Sequence, residues 1–176
     1  DHEGPSALYA LDKKTGKTVW KTDRTTDFGD LGPDGQPQME GDYRKAYTTP
    51  VFVDRDGPQP WFLSIGAKAT FGYDAATGKE LWKVTYPGFS NASSAVWSDG
   101  IAVINTGYGK ANLHAYAIDA STRGDIPKDK LLWDCLKRVP LRGTPVVVAG
   151  HIYMIDDGGF ASCVVLKTGE VTWSER

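Results

Sequence analysis

Internal repetition is the feature that most constrains this chain of 176 residues. Segments 11–20, 73–82 and 164–173 each place a glycine four residues before a tryptophan. A fourth copy, from Ile118 to Trp133, is six residues longer, and its extra residues predict a longer loop between the same two strands. Self-similarity of this kind indicates a repeat architecture, in which each repeat is one supersecondary unit.

The columns of the repeat predict a turn and a packing residue. An aspartate before the turn accepts hydrogen bonds from backbone N–H groups two or three residues later. The glycine supplies the positive φ that such a hairpin needs. A tryptophan at the same place in every copy predicts packing between sheets rather than a ligand cage. The residues with these roles are Trp20, Trp82, Trp133, Trp173, Asp12, Asp74, Asp119, Gly16, Gly78 and Gly169.

The residues ahead of each turn alternate with a period of two, which is strand behaviour. Small residues lie two positions before the aspartate column, and aromatic residues precede most of them. Val165 replaces the aspartate in the last copy, so that turn needs another means of closure. The small residues of this alignment are Ala10, Gly72, Ala117 and Cys163.

Each repeat unit contains four predicted strands. Strand starts at Thr49, Ser94 and Thr144 are 45 and 50 residues apart, a spacing typical of propeller blades. We therefore predict an all-β fold, a β-propeller arc of about three and a half blades of four antiparallel strands. Its parts are a half blade at 1–23, a long inter-blade loop at 24–47, and blades at 48–86, 92–136 and 143–176.

Composition excludes several classes of function. The formal net charge is −2, which gives no electrostatic basis for binding nucleic acid. No apolar stretch approaches the ~20 residues needed to span a bilayer. The three histidines and two cysteines show neither metal-ligand spacing nor a nucleophilic triad. We therefore predict no metal site, no catalytic residues and no membrane insertion.

The repeat resembles the PQQ-like β-propeller repeat of quinoprotein dehydrogenases and of the periplasmic outer-membrane assembly lipoprotein of the BamB kind. The phrases Tyr86–Asn91 and Asp156–Cys163 look like those of uncharacterised secreted proteins of planctomycete-type bacteria. The resemblance implies a periplasmic or extracellular location. Dehydrogenase members resemble one another in a vicinal cysteine pair beside the quinone, and this chain has no adjacent cysteines. We therefore expect no cofactor if the chain is a scaffold. PQQ would bind only if the chain is part of an oxidoreductase.

An arc of this size leaves bare sheet edges, because closed propellers have typically 4 to 8 blades. We expect the remaining blades of a longer chain to close the ring, with a second copy as the alternative.

Loop topology suggests where a ligand binds. In a four-stranded meander, the connections between blades and those between the two middle strands lie at the same end. The loop at 24–47 is longer than a blade requires, and loops beyond about 12 to 15 residues are usually functional or disordered. The candidate rim and ligand-binding residues are Arg44, Lys45, Tyr47, Tyr108, Lys110, Asp156 and Asp157.

The carboxylates of that loop suggest a second kind of ligand, a hard cation. We favour it less, because the spacing of these carboxylates does not match a calcium loop. They are Asp27, Asp30, Asp34, Glu40 and Asp42.

Two hypotheses of function follow. The first is a non-catalytic extracytoplasmic propeller that serves as a scaffold for a protein or glycan partner. The second is part of a PQQ-dependent oxidoreductase whose cofactor site is completed by blades outside this chain.

Overall fold

The computed structural model describes residues 6–38, 41–108 and 111–176, without the side chain of Asp42. Two short 3₁₀ helices, Gly41–Arg44 and Lys128–Lys130, accompany fifteen strands in the described ranges. The strands are β1 (Ala7–Leu11), β2 (Thr18–Asp23), β3 (Val51–Val53), β4 (Trp61–Ile65), β5 (Ala69–Asp74), β6 (Glu80–Thr85), β7 (Val96–Ser98), β8 (Ile101–Asn105), β9 (Leu113–Ala117), β10 (Gly124–Asp125), β11 (Leu131–Cys135), β12 (Val146–Val148), β13 (His151–Ile155), β14 (Ala161–Val165) and β15 (Val171–Glu175).

The strands form four successive sheets. The half blade is the pair β1–β2, and blade 1 contains β3, β4, β5 and β6 in spatial order. Blade 2 contains β7, β8, β9 and β11, and blade 3 contains β12 to β15. Neighbouring strands within each blade are antiparallel. The predicted all-β fold with four-stranded antiparallel sheets is therefore confirmed.

Three of the turns between the last two strands of a blade are built from the same two backbone hydrogen bonds. In the half blade, Asp12 N donates to Lys17 O, and Gly16 N donates to Asp12 O, both at 2.8 Å. The same pair of bonds recurs at Asp74 in blade 1 and at Val165 in blade 3. The turn at Val165 therefore closes through its backbone bonds, without a carboxylate cap.

The apolar core lies between blades. One cluster joins blade 1 to blade 2, and includes Trp61, Trp82 and Ile104. A second joins blade 2 to blade 3 around Trp133 and Ile152. A third packs the half blade against the opposite side of blade 1. Each full sheet thus contributes side chains to an interface with the next, as radially stacked blades do, and a sandwich with one shared core is excluded.

Two of the repeat tryptophans lie on the glycine turn of the following blade. A Cβ placed on Gly78 would come within 2.4 Å of the Trp20 ring, and one on Gly169 within 2.6 Å of Trp133. The Trp133 indole N–H donates to Leu166 O at 2.8 Å, and that of Trp20 to Ala75 O at 3.3 Å. Glycine is therefore required at these turns both for its positive φ and for the close approach of an indole.

Blade 2 departs from this arrangement because of its insertion. Residues Gly124–Asp125 form β10, which pairs in parallel with β6 of blade 1 opposite Trp82 and Lys83. Within the inserted segment, Arg123 donates a hydrogen bond to Ala120 O at 2.6 Å. The N–H of Trp82, the residue opposite Gly124, is buried and has no acceptor among the described residues. The inserted residues, predicted as a loop, thus also add a fifth strand to the neighbouring blade.

The strand register corrects one column of the sequence alignment. Trp20, Trp82 and Trp173 lie opposite Ala10, Gly72 and Cys163. In blade 2, however, the small residue opposite Trp133 is Ala115, not Ala117. Asp119 lies four residues after Ala115, whereas Asp12 and Asp74 each lie two residues after the small residue opposite the tryptophan of their own blade. The aspartate of blade 2 is therefore two residues out of register with the other copies.

Candidate functional site

The candidate site lies on one of the two ends of the blades. This loop face comprises the inter-blade segments 41–48, 86–91 and 136–145 and the middle loops 66–68, 106–108 and 156–160. The opposite end of the blades, the turn face, comprises the glycine turns and the first hairpin of each full blade. Backbone hydrogen bonds join each turn to the first hairpin of its blade. On that face Ala75 N, Ile118 N and Leu166 N donate to Pro60 O, Gly100 O and Gly150 O at 2.9 Å.

Backbone hydrogen bonds join the loops on the first part of the loop face. Ser90 N donates to Lys45 O at 3.0 Å, and Tyr47 N donates to Asn91 O at 2.6 Å. Phe89 and Tyr108 form an antiparallel bridge between the next two loops. These bonds fix the backbones of Lys45, Tyr47 and Tyr108, so three of the predicted residues lie along one continuous strip.

Side chains extend the strip to blade 3. Arg142 donates to the Tyr108 hydroxyl at 3.0 Å and lies 3.5 Å from a carboxylate oxygen of Asp157. Asp157 also accepts a hydrogen bond from Leu141 N at 2.7 Å. The structure therefore connects Tyr108 to Asp157 through Arg142, a residue absent from the sequence-based set.

Asp156 organises its own loop. Its carboxylate accepts hydrogen bonds from Gly158 N and Phe160 N, both at 2.9 Å. The bond from Phe160 N, followed by those from Gly158 N and from Arg138, lowers the pKa of Asp156. Arg138 lies 3.4 Å from Asp156 and stacks on the Phe160 ring at the same distance from its centroid. A ligand role for Asp156 would require these contacts to break.

Arg44, predicted as a ligand-binding residue, is committed to an internal ion pair. Its guanidinium donates through both Nε and Nη2 to the Asp30 carboxylate and stacks over the Phe28 ring at 4.4 Å. The Asp30 side chain is 1% exposed. Arg44 thus anchors the long inter-blade loop. Lys110, the remaining candidate, lies outside the described residues.

The carboxylates of the long loop are separated rather than gathered. Asp27 accepts a hydrogen bond from Gly29 N at 2.8 Å, Asp34 accepts one from Gln36 N at 3.0 Å, and Asp30 pairs with Arg44. Glu40 and the side chain of Asp42 lie outside the described part of the chain. Across the residues that the structure describes, no three His, Cys, Asp or Glu side chains come together as a metal site.

Two buried amides, not anticipated from the sequence, support the loop face. Asn91 donates to Asn105 O at 3.0 Å, and Asn105 in turn donates to Pro140 O at 2.7 Å. Gly107 N donates to the Asn105 side-chain oxygen at 3.0 Å. Both asparagines are at most 1% exposed. Their hydrogen bonds connect three loops of the loop face. Nothing in the local sequence distinguishes these two residues from ordinary turn asparagines.

Three of the titratable or nucleophilic side chains, His114, Cys135 and Cys163, lie on strands of blades 2 and 3. Burial lowers the pKa of His114, and its Nδ1 meets no hydrogen-bond partner among the described residues. Cys135 and Cys163 are both buried free thiols, on β11 of blade 2 and β14 of blade 3. The described residues include no helix long and apolar enough to cross a membrane.

A groove of about 910 Å³ opens between the end of blade 2 and the outer part of blade 3. Arg138, Leu141, Phe160 and Val171 are among its lining residues. Since β15 is exposed along its whole length, this groove borders the uncovered side of blade 3.

Solved structures share this architecture. BamB from Moraxella catarrhalis matches with a TM-score of 0.64 at 13% identity, over 97% of this chain and 46% of that one. The quinohemoprotein alcohol dehydrogenase from Comamonas testosteroni matches with a TM-score of 0.55 at 18% identity, over 76% of this chain and 21% of that one. At these identities the likeness concerns the fold alone. The fold is a β-propeller arc, as predicted.

Sequence comparison gives the family. The outer membrane protein assembly factor BamB of Moranella endobia is 27% identical over an aligned length of 174 residues, in a match that covers 96% of this chain and 39% of that protein. This chain therefore spans about two fifths of the length of that relative. A family profile described as "Outer membrane protein assembly factor BamB" matches residues 6–176. The chain belongs to the BamB family of PQQ-like β-propellers.

Proposed function

We propose that this chain is part of a non-catalytic, extracytoplasmic scaffold that binds a protein partner through its loop face. The relatives named above are assembly factors for outer membrane proteins, which supports a periplasmic location and a protein partner. The observation that carries the proposal is the continuity of the loop face. Its loops are tied together across three blades, and three tyrosines protrude from it.

The composition of the loop face suits protein recognition. Tyr43, Tyr47 and Tyr108 are 43%, 58% and 38% exposed, and Arg142 is exposed beside Tyr108. Tyrosine and arginine are enriched at protein interfaces, because each combines a large contact area with directional hydrogen bonding. Because the backbone beneath Tyr47 and Tyr108 is fixed by hydrogen bonds, less conformational entropy is lost when a partner binds.

Partner binding also explains the roles of several polar groups of the loop face. The buried Asn91 and Asn105 amides and the half-buried Asp156 carboxylate form hydrogen bonds with loop backbones. Such groups hold a surface in one shape and provide neither a nucleophile nor a general base. A preformed surface without assembled chemistry favours a scaffold over an enzyme.

Site-specific photo-crosslinking in the producing cell tests the proposal. The full-length protein would carry a photoreactive residue at Tyr47 or Tyr108, with matched variants at Lys14 and Lys79 on the turn face. We expect one discrete protein adduct from the loop-face positions, and its loss when Arg142 is replaced by Ala. Adducts formed only from Lys14 or Lys79 would refute the assignment of the loop face.

A cofactor assay separates this proposal from the oxidoreductase alternative. We expect full-length protein incubated with PQQ and Ca²⁺ to show neither a bound-quinone absorbance band nor reduction of an artificial dye by alcohols. Dye reduction that depends on both additions would overturn the non-catalytic assignment. The adjacent cysteines that the resemblance associates with a quinone site are missing from this chain.

A further inference from the structure

Arg24 occupies a special position between the half blade and blade 1. It follows the end of β2, and its backbone N–H donates to Ser6 O at 2.7 Å. Its guanidinium lies over the Phe71 ring, 5.3 Å from the centroid. A Cβ on Gly66 would come within 2.1 Å of Arg24 Nη1. The absence of a side chain at Gly66 is therefore what makes room for the guanidinium beneath the middle loop of blade 1.

This guanidinium has few acceptors. In the described part of the chain, the Ser64 hydroxyl accepts a hydrogen bond from Arg24 Nη2 at 2.7 Å, and the buried Nε–H has no acceptor. No carboxylate in the same ranges forms an ion pair with it. Burial lowers the pKa of Arg24. A buried charge normally pairs with an opposite one, because water no longer stabilises it.

A small pocket lies next to this group. Its volume is about 180 Å³, and Arg24 and Arg44 both line it, together with Ser6, Ala46 and Gly66. The charge of Arg44 is already matched by Asp30. The Glu80 carboxylate favours the charged form of Arg24 from beyond ion-pair distance. Among the described residues, the pocket therefore contains one arginine without a carboxylate in direct contact.

We propose that this pocket binds one small oxyanion, a carboxylate or phosphate group, with the Arg24 guanidinium as its main partner. Guanidinium groups present paired N–H donors that match the oxygens of a carboxylate or phosphate. The small volume admits a single such group rather than a sugar or a nucleotide. The site lies beside the long inter-blade loop, and a ligand there would tie the half blade to blade 1. This inference goes beyond partner binding, and its test requires no partner.

Nuclear magnetic resonance of the wild-type chain tests the proposal without any substitution. Acetate and inorganic phosphate would be titrated separately at constant ionic strength, balanced with sodium chloride, while the arginine Nε–H signals are followed. We expect the Arg24 signal to shift in a saturable manner with at least one of the two anions. An Arg24 signal that stays unchanged, or drifts linearly to the highest concentration, would overturn the proposal.

Two variants localise the effect. Arg24→Gln should weaken saturable binding at least tenfold, whereas Arg55→Gln, which removes an exposed arginine of the turn face, should leave it within a factor of two. Equal binding by wild type and Arg24→Gln would overturn the proposal. If Arg24→Gln does not fold, Arg24→Lys serves instead, because it keeps the positive charge but removes the paired N–H donors of the guanidinium. We expect it to weaken anion binding, and unchanged binding would count against the guanidinium as the main partner.

Discussion

The turn aspartates show how one side chain organises a blade. A single carboxylate oxygen of Asp74 accepts hydrogen bonds from Ala76 N, Thr77 N and the Thr77 hydroxyl, at 3.1, 2.8 and 2.7 Å. Asp12 and Asp119 make the same kinds of contact in their own turns. The Thr77 hydroxyl contributes most to lowering the pKa of Asp74. The charged form therefore stabilises the turn.

This lowered pKa predicts an acid-dependent loss of stability. Since the folded pKa of Asp74 lies below that of the unfolded chain, about 3.9, its contribution is complete above that value and disappears as pH falls through the folded pKa. We expect Asp74→Asn to unfold more easily than wild type at pH 7, with a difference that shrinks in acid. Urea unfolding from pH 7 to pH 2 measures it.

Thr168 offers the matched control, because it lies in the blade 3 turn, which has no aspartate cap, and its hydroxyl accepts a hydrogen bond from Glu170 N at 3.3 Å. Threonine does not titrate between pH 7 and pH 2, so Thr168→Ala should differ from wild type by a constant amount over the same pH range. A difference between wild type and Asp74→Asn that does not change with pH would contradict the proposed role of the charge.

The tryptophans differ in burial, so their replacement should differ in cost. Trp82 and Trp133 are 1% and 9% exposed, whereas Trp173 is 41% exposed. We expect Trp82→Ala and Trp133→Ala each to lower the free energy of unfolding by about 3–5 kcal/mol. Trp173→Ala should cost roughly 1–2 kcal/mol, because much of its ring already contacts water. Urea denaturation of the three variants checks this order, and an equal cost at Trp173 would contradict it.

Residue roles could be predicted from the sequence where they recur, and not where they occur once. The columns at Asp12, Gly16 and Trp20 repeat, so each copy supports the interpretation of the others. The ion pair of Arg44 with Asp30 joins residues that are 14 apart in one loop, and no repeat reports it. Charge reversal at Arg44 would break this ion pair with the buried Asp30 carboxylate, so it would disturb the fold of the loop as well as any binding.

At the scale of elements, the first hairpins of blades 2 and 3 share one turn geometry. Asp99 and Gly100 have φ of 51° and 76°, and Ala149 and Gly150 have φ of 48° and 75°. Two consecutive residues with positive φ are typical of the type I′ hairpin, which prefers Asn or Asp followed by Gly. Ala149 therefore occupies a conformation that suits alanine poorly.

The substitution Ala149→Asn should stabilise the protein. Asparagine tolerates positive φ better than alanine, and residue 149 is exposed, so no packing is lost. We expect the free energy of unfolding to rise by about 0.5–1 kcal/mol. Equilibrium unfolding measures the change, and Ala120→Asn, also at an exposed turn position, serves as control. A destabilised Ala149→Asn would show that the φ at this turn is not the limiting factor.

Elements within one blade were predictable because period-two alternation is local. The pairing of β10 with β6 was not, because it joins an insertion in blade 2 to the edge of blade 1. A two-residue strand has too few side chains to show a pattern. The same insertion accompanies the displacement of Asp119 from the position that Asp12 and Asp74 occupy in their own blades.

At the scale of the whole molecule, stacking of blades creates two faces with different tasks. Hydrogen bonds between turns and hairpins hold the turn face together. The loop face carries the exposed tyrosines, Arg142 and the Arg24 pocket. The sequence predicted this division from strand order alone. It could not place Tyr108 against Arg142, because that contact depends on the angle between consecutive blades.

The central claim is that the half blade and blade 2 each stack an indole on the glycine turn of the blade that follows. Gly16, Gly78 and Gly169 have nearly the same φ, between 70° and 73°. Gly78 and Gly169 are covered by Trp20 and Trp133, whereas no described residue lies within 4 Å of a Cβ built on Gly16, its chain neighbours aside. The three positions thus share one backbone conformation, in which a side chain would be strained, and they differ in their contacts with the neighbouring blade.

Urea unfolding of three glycine-to-alanine variants tests this claim most directly. Gly16→Ala should lower the free energy of unfolding by about 1–2 kcal/mol, from the positive φ alone. Gly78→Ala and Gly169→Ala should each lower it by roughly 2–5 kcal/mol, since a collision with an indole adds to the same strain. Equal losses at all three positions would contradict the stacking of indoles on glycine turns, and with it the propeller arrangement of the blades.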